Sequence, residues 1–342
     1  MNRNLYDNIY GCLLGGIIGD AMGAPSEGMT YEEIIQKFGG IDSFEGEGTD
    51  DSAIKMILCE AIIQNGGDVT ADEFSEAFLR NKEKYERLFF IPVHNMLNKV
   101  KSGLSLPVYA GMGNMQSSSS AMAISPMGII NAFNPRQAAL ETYDVAGLIH
   151  AGDTTFCRDA ACAVAAAVAE ALKPDATVDT VLDASVKYLH KISSAVMIGH
   201  IGKVLDAARQ AGEYEKFRET FYENFLQDII CDSRETVPAS LALFYLAGGD
   251  PDTALIYSAN FGRDADTIGT MAGALCGAFM GASAIKAAWV KKADKAFDNG
   301  DGTVSCSTQV RLAKDLLEVI RIRNKRRAEI LSIWEGMDKE RN

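Results

Sequence analysis

The sequence predicts an all-α protein, and three observations carry that reading. Apolar residues recur at helical spacing through most of the 342 residues, strict strand-like alternation is scarce, and two long apolar segments place glycine at every fourth position. Gly11, Gly15, Gly19 and Gly23 form the first series, and Gly269, Gly273, Gly277 and Gly281 the second. Residues four apart share a helix face, so each series is a ridge without side chains along which another helix approaches closely. Glycine inside a helix costs up to about 1 kcal/mol relative to alanine, so eight of them imply that close packing offsets the loss.

Taken in order, the patterning predicts helices over 5–22, 51–65, 71–80, 84–101, 135–148, 153–172, 177–192, 195–211, 214–226, 234–247, 251–259, 266–290 and 308–334. Gly39-Gly40 and Gly46-Glu47-Gly48 separate the first two, and the stretch from Gly111 to Ser120 is a long loop between the fourth and fifth. The sixth is alanine-rich from Asp159 to Leu172 and offers a small face to a glycine ridge. Gly248-Gly249-Asp250-Pro251 marks a turn before the eleventh, and Asp298-Asn299-Gly300-Asp301-Gly302 one before the last. That last run lacks the EF-hand pattern and reads as a turn. The final helix, in the peripheral region 300–342, carries Leu316, Leu317 and Ile320 on one face, to pack on the bundle's edge or on a partner subunit. No interdomain linker and no fixed-period repeat is visible, so 1–342 reads as one domain.

Composition excludes several function classes. With 47% hydrophobic but only 8% aromatic residues, the chain can bury a large core of small side chains. A net charge of -13 argues against nucleic acid as the main partner, because phosphate backbones are bound through Lys and Arg. The one basic run, Arg321 to Arg327, reads as a solvated helix face. Seven cysteines without a C-x-x-C pair do not form a disulfide framework, which fits a reducing cytoplasm. Asp7 and Asp20 bracket the apolar stretch Ile9–Ile18 and spoil its likeness to a secretory signal. The uncharged run 268–285 approaches membrane-spanning length, but its glycines and the aspartates just upstream mark a buried central helix.

The acidic residues of interest fall in two runs, Thr49-Asp50-Asp51 and Asp264-Ala265-Asp266-Thr267, each opening a helix of small or apolar residues. Four carboxylates gathered in a partly dry site repel one another unless they share a cation or take up protons. Oxygen-only ligand sets suit hard ions such as magnesium, manganese or calcium. Helix capping is the competing account, since Thr and Asp also satisfy free N–H groups at helix starts. His94, His190 and His200 form no zinc-binding pattern.

Around these runs, Gly19-Asp20-Ala21-Met22-Gly23-Ala24-Pro25-Ser26-Glu27, Thr49-Asp50-Asp51-Ser52, His150 ahead of an alanine-rich helix, and Gly262-Arg263-Asp264-Ala265-Asp266-Thr267 stand in a fixed order. In that order they resemble the motifs of the ADP-ribosylglycohydrolases, the group that includes the dinitrogenase-reductase activating enzymes, over about residues 8–290. The resemblance implies a compact orthogonal multi-helix bundle with a two-magnesium centre, manganese being a possible substitute. It implies hydrolysis of the C1 bond between the ribose of ADP-ribose and a protein side chain or small leaving group. By position, Thr49, Asp50, Asp51, Asp264, Asp266 and Thr267 become metal ligands, with Asp50 and Asp266 essential to catalysis. Glu27 becomes the proton-shuttling carboxylate on a mobile loop, and His150 lies by the nucleotide. Asp20 is expected to brace a ligand or the neighbouring backbone rather than touch metal.

Between the acidic runs the chain departs from the family. Where many members carry Gly-Asn-Gly, small residues and Met-Arg, this one has Gly113-Asn114-Met115-Gln116, then Ser117 to Ser120 and Ala121-Met122-Ala123. The usual arginine is missing, which leaves Ser118, Ser119 and Ser120 with the backbone as candidate phosphate donors. Two other readings stay open: a hydrolase of another ribosyl or nucleoside-type bond, and a silent ADP-ribose-binding or structural protein on the same fold, since the family also includes lens crystallins.

Overall fold

The computed structural model describes residues 4–45, 48–296 and 308–339. Among them are sixteen α-helices and no β-strand, the one strand-like contact being an isolated bridge between Met112 and Ala151. The helices are α1 (Leu5–Gly23), α2 (Tyr31–Phe38), α3 (Asp50–Gln64), α4 (Ala71–Tyr85), α5 (Ile91–Lys101), α6 (Ser125–Ile130), α7 (Pro135–Gly147) and α8 (Thr155–Ala171). They continue with α9 (Val178–Lys187), α10 (Ala195–Ala211), α11 (Tyr214–Asn224), α12 (Ser233–Leu246), α13 (Pro251–Ala259), α14 (Ala265–Met280), α15 (Ala287–Ala296) and α16 (Gln309–Lys339). Asp298-Asn299-Gly300-Asp301-Gly302 lies outside the described residues.

The two glycine helices pack ridge to ridge on each other, and the alanine-rich α8 packs beside α14. They run antiparallel, with Gly11 against Gly277, Gly15 against Gly273, Gly19 against Gly269 and Gly23 against Ala265. A Cβ on Gly15 would fall inside the carbonyl of Gly273, and one on Gly273 inside the carbonyl of Gly15. Backbone therefore touches backbone, and dispersion contacts replace the missing side chains. Both helices are almost wholly buried; α13, α12 and α8 enclose α14, while α13 and α16 flank α1. The uncharged 268–285 run is thus core, and among the described residues no helix is long and apolar enough to cross a membrane.

Two of the predicted helices are cut differently, each for a local reason. The helix expected over 84–101 is broken: α4 ends at Tyr85, Glu86–Leu88 tightens into a 3-10 turn, and α5 restarts with Pro92 at its second position. Proline disfavours the helical conformation in the residue before it and donates no N–H, so it is best placed in the first turn of a helix. The helix expected over 266–290 ends at Met280, because Gly281 turns out with φ 88° and its missing Cβ leaves room for the Asp7 carboxylate. α2 and α6 were not anticipated; α2 has a complete capping box, Thr30 with Glu33. In α16, Leu312, Ala313, Leu316, Val319 and Ile320 are buried against the bundle, whereas Ile330, Ile333, Trp334 and Met337 are exposed.

Because the α1–α14 contact has no side chain that could move aside, Gly15→Ala or Gly273→Ala should lower stability by about 3 kcal/mol. A chemical-denaturation midpoint equal to that of the parent chain would contradict the backbone contact.

Candidate active site

Antiparallel packing brings the end of α1 to the start of α14. Asp20, in the last turn of α1, is fully buried, and both its carboxylate oxygens accept the Thr49 N–H, at 2.8 and 2.9 Å. The Ser52 N–H reaches the same carboxylate at 3.0 Å. Asp20 therefore anchors the start of α3, as the bracing role required, and so sets where Thr49, Asp50 and Asp51 stand.

The two acidic runs meet across the α3–α14 junction. Thr49 Oγ1 donates towards Asp51 Oδ2 at 3.3 Å and Asp266 Oδ2 at 3.4 Å, and Thr267 Oγ1 donates towards Asp51 Oδ2 at 3.4 Å. Glu27, Asp264 and Asp266 each bring a carboxylate oxygen within 4.8 Å of the others. Capping accounts for only part of this. Thr49 does cap α3 through the Asp51 N–H, but Asp264, at the cap position of α14, makes no side-chain cap bond.

Instead, Asp50 Oδ2, Asp51 Oδ1, Asp264 Oδ2 and Asp266 Oδ1 are buried without any hydrogen-bond partner. Buried carboxylate oxygens are costly unless something positive completes them. Hard oxygen donors with unspent lone pairs, flanked by two threonine hydroxyls, match what a hard divalent cation accepts. Desolvation first, and the crowded negative charges after it, raise the pKa of Asp51, Asp264 and Asp266 well above the usual carboxylate range. Asp50 is pushed up to about 7 by the same causes. Glu27, on an exposed turn after a short 3-10 helix (Ala24–Ser26), is raised by partial desolvation and by Asp20.

One internal cation faces the cluster from below. Lys55, one turn along α3 from Asp51, is 1% exposed and its Nζ has no hydrogen-bond partner. The space it fills exists because residue 16 is glycine, whose Cβ would collide with Nζ. Burial lowers the Lys55 pKa, while Asp20 and Asp51 pull it back up. Sequence reasoning missed this lysine, although a lone Lys on an apolar helix four residues from an aspartate was a visible signal.

The cluster lies on one side of an open cleft of about 370 Å³, within the range of small-molecule sites. Leu88, Phe89 and Phe90 line it, because the break between α4 and α5 carries them there. Ile229, Ile230, Cys231 and Met122 add further apolar surface, and Ser118 and Ser119 supply hydroxyls.

The serine loop departs from expectation. His150 and Ser120, expected beside a nucleotide, stand behind the cleft wall: the histidine is fully buried, with Ser117 Oγ on Nε2 at 3.1 Å and Ser120 Oγ on Nδ1 at 2.6 Å. Burial pushes the imidazole down to about 4, so it is a neutral strut at pH 7. Ser118 lines the cleft, but its hydroxyl donates to the Cys231 carbonyl at 3.0 Å and contacts Thr236. Ser119 accepts from Ser117 and keeps its own O–H for a ligand.

An all-α bundle whose paired acidic runs converge beneath a cleft defines the class. The chain belongs to the ADP-ribosylglycohydrolase family, whose sequence profile matches residues 1–326. It is 27% identical over 304 residues to the uncharacterized protein YegU of Escherichia coli (strain K12), covering 82% of this chain and 89% of that protein. It is 25% identical over 313 residues to the ADP-ribosyl-[dinitrogen reductase] glycohydrolase of Rhodospirillum rubrum, covering 85% of this chain and 92% of that one. Among solved structures, an ADP-ribosylglycohydrolase-related protein complex superposes with a TM-score of 0.65 at 20% identity, over 93% of this chain and 98% of the other, which shows the shared fold. Membership supports a hydrolase of ADP-ribose-type glycosidic bonds.

The raised carboxyls have a consequence for the cation-free protein. Unfolded aspartates titrate at about pH 4, whereas burial and the neighbouring carboxylates push folded Asp50 up to about 7. Its neutral form favours the fold, so that contribution is complete at acid pH and is lost as pH rises through about 7. With a chelator present, the thermal midpoint should fall across this window. Magnesium at a hundred times its dissociation constant should then restore about 2.7 kcal/mol at alkaline pH; melting curves blind to magnesium would rule out the cation site.

Proposed function

We propose that this protein is a magnesium-dependent ADP-ribosylglycohydrolase that cleaves the C1 bond joining ADP-ribose to a protein side chain or small leaving group. The observation that carries the proposal is the set of four unpartnered buried carboxylate oxygens beside Thr49 and Thr267 on the cleft wall. Thr49, Asp50, Asp51, Asp264, Asp266 and Thr267 would hold two magnesium ions, with manganese as the substitute. Bound there, they supply Lewis acidity towards the ribose hydroxyls and an acidified water.

The chain's own groups do the rest. Hydrolysis breaks the bond from C1 to the leaving nitrogen or oxygen and makes a C1–OH bond, and one proton must travel from water to the leaving group. Glu27 reaches the cluster from an exposed turn, and its raised pKa suits a carboxylate that both takes and gives that proton. Phe89, Phe90, Ile229 and Ile230 narrow the water around the reacting centre and offer flat or branched apolar surface to a base or ribose. Ser119 Oγ and the loop backbone donate to the phosphates. The free thiols of the six described cysteines suit the reducing cytoplasm.

One feature favours a second reading. Among the described residues no lysine or arginine lines the cleft, so none of them offers a side-chain cation to a diphosphate. A ribosyl or nucleoside-type substrate with less phosphate is therefore the rival, using the same acidic set. Release of ribosyl product from serine-, arginine- and nucleic-acid-linked ADP-ribose, measured beside simple nucleosides, separates the two. Turnover of nucleosides alone would favour the rival, and turnover of none would leave a silent binding protein.

Asp50→Ala or Asp266→Ala should abolish both turnover and divalent-cation binding with circular dichroism unchanged; full activity in either variant would sink the metal assignment. Glu27→Gln should bind ADP-ribose within about threefold of the parent yet turn over at least about a hundredfold more slowly. Calorimetry and single-turnover kinetics on the same preparation check both halves.

A further inference from the structure

We propose that Arg263 is a positioning residue that holds Glu27 over the acid cluster, through a clasp with the buried Glu235. This rests on the role just given to Glu27. Arg263 immediately precedes Asp264 and, with φ 60°, is one of two non-glycine residues among those described in the left-handed region. That conformation costs an ordinary side chain of order 1 kcal/mol, so the surrounding contacts hold it there.

Those contacts reach three parts of the site at once. Through its backbone, Arg263 accepts from the Gly28 N–H at 2.8 Å and donates to the Met29 carbonyl at 2.7 Å. The pair of bonds fixes the chain directly after Glu27. Ser26, directly before it, is fixed by its hydroxyl on the Ala259 carbonyl at 2.7 Å, so Glu27 is pinned on both sides. Gly262 has no space for a Cβ, because Met29 O and Tyr222 Oη press on it at 2.5 and 2.7 Å. The two segments are in direct contact.

Through its side chain, Arg263 forks onto Glu235, with Nε to Oε1 at 2.8 Å and Nη2 to Oε2 at 3.0 Å, and Nη2 also donates to the Gln227 carbonyl at 2.7 Å. Glu235 is fully buried in the first turn of α12 and accepts the Gln227 N–H at 2.6 Å. Gln227 and Glu235 bracket Ile229, Ile230 and Cys231 of the cleft wall. One arginine thus joins the Glu27 turn, the start of α14 and the opposite wall. A lysine is a point charge with no planar fork, so it cannot reproduce the three bonds together.

The test uses the full chain as Arg263→Gln, Arg263→Lys and the double variant R263M/E235M. The double variant removes both charges, so no buried carboxylate is orphaned and the fold survives if Arg263→Gln fails to fold. Amide exchange at Gly28 and Gln227 should quicken about tenfold or more in Arg263→Gln and in the double variant. kcat should fall about thirtyfold, with KM and magnesium affinity within about threefold of the parent. Arg263→Lys should recover part of kcat. In a Glu27→Gln background, adding Arg263→Gln should cost less than about a further twofold in kcat, because the group it positions is already gone.

Unchanged exchange at Gly28 in all variants would overturn the proposal. So would a fully additive loss in the Glu27→Gln background, or a loss of magnesium affinity parallel to kcat, which would make Arg263 a support for Asp264 instead. Exchange needs no substrate, so it judges the clasp even if the parent chain turns over no ADP-ribosyl compound, a result that would refute the proposed function separately.

Discussion

Everything in the site depends on the backbone contact between α1 and α14. Because the helices are antiparallel and their glycines meet in register, the carboxyl end of one, with Asp20 and the turn to Glu27, is delivered to the amino end of the other, with Asp264, Asp266 and Thr267. Asp20 then draws in the start of α3 through Thr49 and Ser52. A contact made of main chain alone has no rotamers to readjust, so the spacing it sets is stiff.

That stiffness confronts electrostatics. Five carboxylates, Glu27, Asp50, Asp51, Asp264 and Asp266, border one cleft, and their raised pKa values register how little water and how few donors they have. Lys55 Nζ lies beneath them without bonding to any, which leaves the outward oxygens available. The ion pair of half-buried Arg263 with buried Glu235 organises loops rather than charge balance. The arrangement separates a floor held by helices from walls held by side-chain bonds.

Much of the floor was legible in the sequence because it is written at fixed local spacing. Glycine at every fourth position announces a ridge, and a doubled carboxylate beside a hydroxyl announces more than a cap. The partner of each ridge was not legible, since spacing gives a face but not what meets it. Gly281 was counted as a ridge member although its positive φ makes it the end of α14. Pro92 was passed over as a helix start, and with it the three residues that line the cleft. The resemblance puts His150 and Ser120 at the nucleotide, whereas their mutual bond, across a separation of 30 positions, turns them inward. Arg263 has no local signal of its role, because its partner Glu235 is 28 residues away in the sequence.

The glycine ridges also restrict the ways in which this chain can be misassembled. A slip of α14 along α1 by one, two or three residues would drive Cβ atoms into the opposing backbone. A slip by four would again set glycine against glycine, but at about 1.5 Å per residue it would carry Asp266 some 6 Å from Thr49. The alternatives are therefore discrete, and each either clashes or disperses the carboxylates. Helix register and acid cluster are a single unit of information, so a folding intermediate in which the wrong glycines have met would be compact, helical and chemically blank.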